Sequence, residues 1–203
     1  MRIAENHDLL NPDLFTTSAS LRAAWEDIEA AILGTDWPHG SGKFLIFPES
    51  GKKRGEGNGV VPIKIPCIKE LARRGWKVES LPNLGGSVLG TGDLDALKKT
   101  ADGYVAFEWE TGNISSSHRA LNKSFLTMQE LNILGSFLVV PSNSLAQFLT
   151  DRIGNIGELR PYFPLWRNLP GIRGALRIIV VEHDAEDRGV PKIPKGTDGR
   201  ALG

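Results

Sequence analysis

Apolar positions recur at three- and four-residue steps in the first part of the chain. Leu21, Trp25, Ile28 and Ile32 line one face, so the spacing predicts a helix over residues 14–33, capped by Ser18 or Ser20. Trp37-Pro38-His39-Gly40 breaks it, and residues 44–47 read as a short strand. Residues 52–59 are too polar and glycine-rich to pack and predict a loop. A helix from about Pro66 to Arg74 stops at Gly75, a strand follows over 76–81, and Gly85-Gly86 and Gly90 to Gly92 mark another loop. Residues 93–97 and 104–110 both alternate with period two and are separated by a segment ending in Asp102-Gly103, which predicts a hairpin. Beyond it the pattern predicts a helix over 115–131 with Leu121, Phe125 and Met128 on one face. A buried strand over 136–140, a helix from near Ser142, a proline-rich connection over 161–170 and a strand over 176–182 complete it. Helices and strands interleave as in an α/β fold.

The length, 203 residues, predicts a single domain over 1–203, and 40% hydrophobic with 24% charged residues is ordinary for a globular chain. Residues 190–203 are rich in proline and glycine and carry Lys192, Lys195 and Arg200, so they predict an arm. The longest apolar runs, 137–140 and 178–181, are strand-sized, which predicts no membrane span, and the first residues lack a signal peptide's apolar segment. Cys67 is the only cysteine, so no internal disulfide can form and a cytoplasmic home is expected. Twenty-four basic and 24 acidic residues cancel, yet residues 42–80 carry nine basic and four acidic side chains. A local basic face can therefore still meet phosphates.

Candidate chemistry centres on the hairpin. Glu108 and Glu110 share a strand face, and Val105, Phe107 and Trp109 take the other. A two-residue turn sets Asp95 opposite Glu110; a four-residue loop over 100–103 sets it opposite Glu108. Either register gathers three carboxylates, which repel one another unless they take up protons or bind a cation. Oxygen ligands select a hard ion, Mg²⁺ first, the usual apparatus for cutting a phosphodiester. The same pattern fits, equally well, a solvated strand face carrying surface acids.

The run Phe107-Glu108-Trp109-Glu110-Thr111-Gly112-Asn113-Ile114-Ser115-Ser116-Ser117-His118-Arg119 resembles the BamHI-type restriction endonucleases, a branch of the PD-(D/E)XK nuclease fold. The likeness extends through Gly59-Val60-Val61-Pro62-Ile63-Lys64, Leu94-Asp95, Leu121-Asn122-Lys123 and Leu149-Thr150-Asp151-Arg152. It continues in Glu158-Leu159-Arg160-Pro161-Tyr162-Phe163 and ends in Ile193-Pro194-Lys195-Gly196-Thr197-Asp198-Gly199. The resemblance implies a central mixed β-sheet flanked by helices. It implies Asp95 and Glu108 as metal-bridging acids, Glu110 as general base or metal ligand where most nucleases of this fold have lysine, and Glu79 as a further acid lining the metal site. Asn113, Ser115 and Arg119 match the start of a helix meeting bases in the major groove. Asp151 and Arg152 match a pair reading guanine and cytosine edges, a fitting chemistry because arginine forks onto guanine and aspartate accepts from cytosine. Lys64 matches a basic residue at the DNA face, and Gly196, Thr197 and Asp198 match an arm reaching the minor groove.

The resemblance thus implies a homodimeric, Mg²⁺-dependent type II restriction endonuclease, with Mn²⁺ able to substitute. It would cut double-stranded DNA at GGATCC after the first G and leave 5′ GATC overhangs. The alternative is a catalytically silent DNA-binding relative, which predicts loss of an acid, and none is lost. A glycoside hydrolase also uses paired carboxylates, but only 7% of residues are aromatic and the basic segments favour DNA. His118 is expected to pack or to contact DNA, Cys67 to be a small buried residue, and Lys123 to bind a phosphate or lie at a dimer seam.

Overall fold

A computed structural model of the chain describes residues 1–53, 55–80, 93–131, 133–150 and 153–195. Its elements begin with β1 (Arg2–Leu10), α1 (Leu14–Thr17), α2 (Ala19–Leu33), β2 (Leu45–Ile46), α3 (Val61–Arg73) and β3 (Lys77–Ser80). The hairpin β4 (Leu94–Lys99) and β5 (Tyr104–Trp109) leads into α4 (Ile114–Glu130) and β6 (Ile133–Pro141). The chain continues through α5 (Asn143–Ala146), α6 (Ile156–Leu159), α7 (Phe163–Arg167), β7 (Ala175–Glu182) and β8 (Ala185–Glu186).

Six strands form one mixed sheet in the order β1-β7-β6-β5-β4-β3, and β2 pairs separately with β8. The centre, β5-β6-β7, is parallel, and antiparallel strands close both edges. Alternation then sorts the side chains into two layers. Val105, Phe107, Phe137 and Val139 pack with the apolar faces of α2 and α3. Ala106, Leu138 and Val140 pack with α4, α6 and α7 on the other side. The central strands are therefore apolar on both faces, as buried parallel strands require.

Several boundaries differ from the expected ones for local reasons. The helix expected over 14–33 divides at Ser18, whose side chain accepts from the Leu21 amide and starts α2. Helix α3 begins at Val61 and carries Pro66 inside it, although proline usually marks a helix start. The hairpin takes the four-residue loop, because the Thr100 amide and hydroxyl both donate to the Gly103 carbonyl, at 2.8 and 2.7 Å. Strand β1 is absent from the apolar pattern, being a polar edge strand fixed by remote partners. Asp8 pairs with Arg177 at 2.6 Å, and the N-terminal ammonium donates to the Thr35 carbonyl at 2.8 Å. Among the described residues no helix is long and apolar enough to cross a membrane.

Candidate active site

The acids meet where β4 and β5 run side by side. Pairing of Ala96 with Phe107 fixes the register, so Asp95 stands opposite Glu108 one step further along. Glu108 follows Ala106 on the α4 face of the sheet and is only 3% exposed. Burial, then the Asp95 charge, push its carboxyl up to about 7; Lys123 pulls it back and Glu110 pushes it further. Glu110 lies just past the strand, where its amide donates to the Val139 carbonyl at 2.9 Å. Burial, then Asp95, raise its carboxyl too, against the opposing charges of Lys64, Arg119 and Lys123.

Two lysines hold this acidic centre from opposite layers. Lys64 on α3 places Nζ 2.5 Å from Asp95 Oδ1, and Asp95 Oδ2 accepts from the Trp109 amide at 2.8 Å. Lys123 on α4 pairs with Glu108 Oε1 and donates to the Asp93 carbonyl at 2.8 Å. Spacing along the sequence did not distinguish a phosphate ligand from a seam residue at Lys123. Only the packing of α4 on the sheet reveals its partner. Among the described residues, no group of three or more His, Cys, Asp or Glu side chains stands together to hold a metal ion. The donors are nonetheless hard oxygens, and burial together with the Asp95 charge raises the carboxyls of Glu108 and Glu110, a chemistry that suits a hard divalent cation. As placed, the inner two acids serve ammonium groups.

Glu79 sits on β3 between the pairs Val78–Ala96 and Ser80–Leu94, level with Asp95. It is exposed and holds a left-handed φ of 47°, unusual for a residue with a side chain.

The first turn of α4 begins beside Glu110. Asn113 caps it, with Oδ1 accepting from the Ser116 amide at 3.1 Å. Asn113, Ser115 and Arg119 are exposed, the last two one turn apart on one helix face. Against this turn lies Gly154, whose amide donates to the Gly112 carbonyl at 2.9 Å; a Cβ there would stand 2.8 Å from Ile114 Cα. Asp151, Arg152, Gly196, Thr197 and Asp198 lie outside the described residues, as does the glycine loop at 85–92. The C-terminal segment is fastened as far as Lys195. Ile193 is buried, and the Trp37 indole donates to the Pro191 carbonyl at 2.8 Å.

The other candidates resolve structurally. His118 packs edge-on against Tyr162, with ring centroids 4.7 Å apart, and lies 5.5 Å from the Trp166 ring. Cys67 is fully buried, and burial pushes its thiol well up, so it is no nucleophile.

The family model described as restriction endonuclease BamHI matches residues 1–200. The type II restriction enzyme OkrAI of Oceanobacter kriegii is 44% identical over 176 residues, covering 87% of this chain and 88% of its own. The type II restriction enzyme BamHI of Bacillus amyloliquefaciens is 33% identical over 193 residues, covering 92% and 86%. A crystal structure of restriction endonuclease BglII complexed with a DNA 16-mer superposes with a TM-score of 0.63 at 12% identity, over 91% of this chain and 79% of that one. Free BglII gives 0.51 at 12% identity, over 91% and 81%. The BglII likeness concerns the fold.

Proposed function

Because this chain belongs to the BamHI family of type II restriction endonucleases, enzymes that cleave DNA, we propose that it is a homodimer that cuts GGATCC after the first G. It uses Mg²⁺, or Mn²⁺ in its place, and leaves 5′ GATC overhangs. The observation that carries the catalytic assignment is the buried Glu108 opposite Asp95, its carboxyl lifted to about 7 by burial and that neighbour. A solvated strand face would leave Glu108 exposed and its carboxyl at the ordinary value.

In this reading Asp95, Glu108, Glu110 and Glu79 would supply the oxygens for the metal, which would neutralise charge at the scissile phosphate. The Trp109 amide and Lys64 fix the orientation of Asp95. Glu110 has a raised pKa and so is a better base towards neutrality; it takes the proton of the attacking water. Arg119, Lys64 and Lys123 place positive charge round the acids and moderate their repulsion of the DNA backbone. Asn113, Ser115 and Arg119 enter the major groove from the start of α4. Asp151 and Arg152 read the G·C pairs, and Gly196, Thr197 and Asp198 reach the minor groove from the arm at 190–203.

A palindrome calls for two-fold symmetry, each subunit serving one strand. Leu126 on α4 is a large apolar side chain left exposed, which supports α4 as part of the dimer seam.

The test is digestion of a plasmid of known sequence with and without Mg²⁺, followed by sequencing of the fragment ends. Glu110→Ala is the control. GATC overhangs at GGATCC, absent in the control, are expected. Discrete ends elsewhere would keep the mechanism and discard the base assignments. No cleavage, with tight binding that needs no Mg²⁺, would identify a silent DNA-binding relative.

A further inference from the structure

Asn58 lies in the middle of a polar, glycine-rich stretch, yet it is 0% exposed. Its backbone amide donates to the Phe148 carbonyl at 2.7 Å, and its own carbonyl accepts from the Thr150 amide at 2.7 Å. Side-chain Nδ2 donates to the carbonyls of Phe47 and Phe148, both at 2.9 Å, and Oδ1 accepts from the Ile193 amide at 3.1 Å. One residue thus joins three segments that are remote in sequence: the turn after β2, the loop after α5 and the extended chain after β8.

The surroundings leave no room for looser packing. A Cβ on Gly51 would stand 1.5 Å from the Leu149 carbonyl oxygen, and one on Gly59 would stand 1.8 Å from that of Pro194. The Gly59 amide donates to the Ile193 carbonyl at 2.8 Å, and Lys192 pairs with Glu49 at 2.5 Å.

Two of the joined segments run directly into residues assigned above to base reading. Thr150 precedes Asp151 and Arg152, and Lys195 precedes Gly196, Thr197 and Asp198. We infer that Asn58 is a positioning residue for sequence specificity: it fixes the points from which the major-groove and minor-groove readers leave the fold, so that they act as one unit. The inference rests on the DNA-cleaving function proposed above. The chemistry explains the residue type. Alanine would leave the Ile193 amide without its acceptor and take one of two donors from each of the Phe47 and Phe148 carbonyls, and aspartate would turn an acceptor towards those carbonyls.

The test compares Asn58→Ala and Gly59→Ala with their parent. Gly59→Ala presses only on the C-terminal segment, and it carries the test alone where Asn58→Ala fails to fold. Affinity is measured for a GGATCC duplex and for duplexes with one base pair changed, in a Glu110→Ala background that keeps the DNA intact. Single-turnover cleavage is measured with Glu110 present and protein in excess. A mismatch ordinarily costs about tenfold or more in affinity, and each variant is expected to lose most of that discrimination. The rate constant of the bound GGATCC complex is expected to stay within about threefold, because the acids sit on other strands. A merely structural role would lower the folded fraction for every duplex alike; an unchanged affinity ratio therefore overturns the inference. A parent protein that prefers no duplex is a separate failure, that of the proposed function, and takes the inference with it.

Discussion

Glu108→Gln is expected to stabilise the protein while abolishing cleavage. The carboxyl of Glu108 stands at about 7 against an ordinary value of 4.5. Each pH unit of that difference is about 1.4 kcal/mol, so holding the ionised side chain in the fold costs about 3 kcal/mol. The sign follows from proton counting. Between pH 4.5 and 7 the folded chain keeps a proton at Glu108 that the unfolded chain has released. Stability therefore falls as pH rises through this window, and the loss is complete above it. Glutamine keeps the shape and an oxygen for Lys123 without the charge. The variant should exceed the parent by about 3 kcal/mol at pH 8, or about 6–12 °C in Tm, with the gap closing towards pH 4.5. Urea denaturation in EDTA across this range measures it, since a bound divalent cation would stabilise the parent selectively. A gap that does not vary with pH, or a variant less stable at pH 8, would refute the assignment of Glu108 as a strained, buried acid.

Lys123→Met removes the ammonium from Glu108; it should lower stability in EDTA by about 1–3 kcal/mol and tighten Ca²⁺ binding measured by calorimetry without DNA. Unchanged Ca²⁺ affinity would show that the lysine and the cation do not compete. Glu79→Gly relieves a left-handed φ of 47°, so it should raise stability by up to about 1 kcal/mol while slowing plasmid cleavage. Full activity would remove Glu79 from the metal site. Asp27 accepts from Trp76 at 3.0 Å and Arg74 at 3.3 Å and also pairs with Lys98. Burial alone would raise its carboxyl, but hydrogen bonds from Lys98, Trp76 and Arg74 outweigh it and hold it below the ordinary 3.8. The stabilisation is present above that value and lost as pH falls through the lower folded one. Asp27→Asn should therefore cost roughly 2 kcal/mol at neutral pH and little in strong acid, as read by denaturation at both.

The hairpin was legible because its two open registers led to the same cluster. Strand alternation fixed the faces, and only the Thr100–Gly103 bonds decided between Glu108 and Glu110 as the partner of Asp95. The core faces of α2 and α4 were legible for the same reason, a period that burial enforces locally. What stayed hidden depends on distant chain. β1 has no apolar alternation, and its place follows from Arg177 and the N-terminal ammonium. Asn58 read as loop because its partners are 90 and 135 residues away. Lys64 and Lys123 were visible as basic residues, but their targets appear only when α3 and α4 close on the sheet from either side.

That closure explains how the acids are assembled at all. Asp95 and Glu108 stand on adjacent strands beside an apolar layer, where unpaired charges would be expelled. One lysine from each helical layer supplies the missing counter-charge, so the fold completes itself without outside help. The arrangement is balanced rather than saturated, since the Glu108 carboxyl still stands near 7 with Lys123 against it. A monovalent ammonium leaves part of the repulsion among the acids uncompensated, and a doubly charged ion of similar size would compensate more of it at the same oxygens. In the function proposed above, the DNA backbone would compete with Asp95 and Glu108 for Lys64 and Lys123, and the carboxylates so released would need a cation, so the substrate itself would favour metal binding.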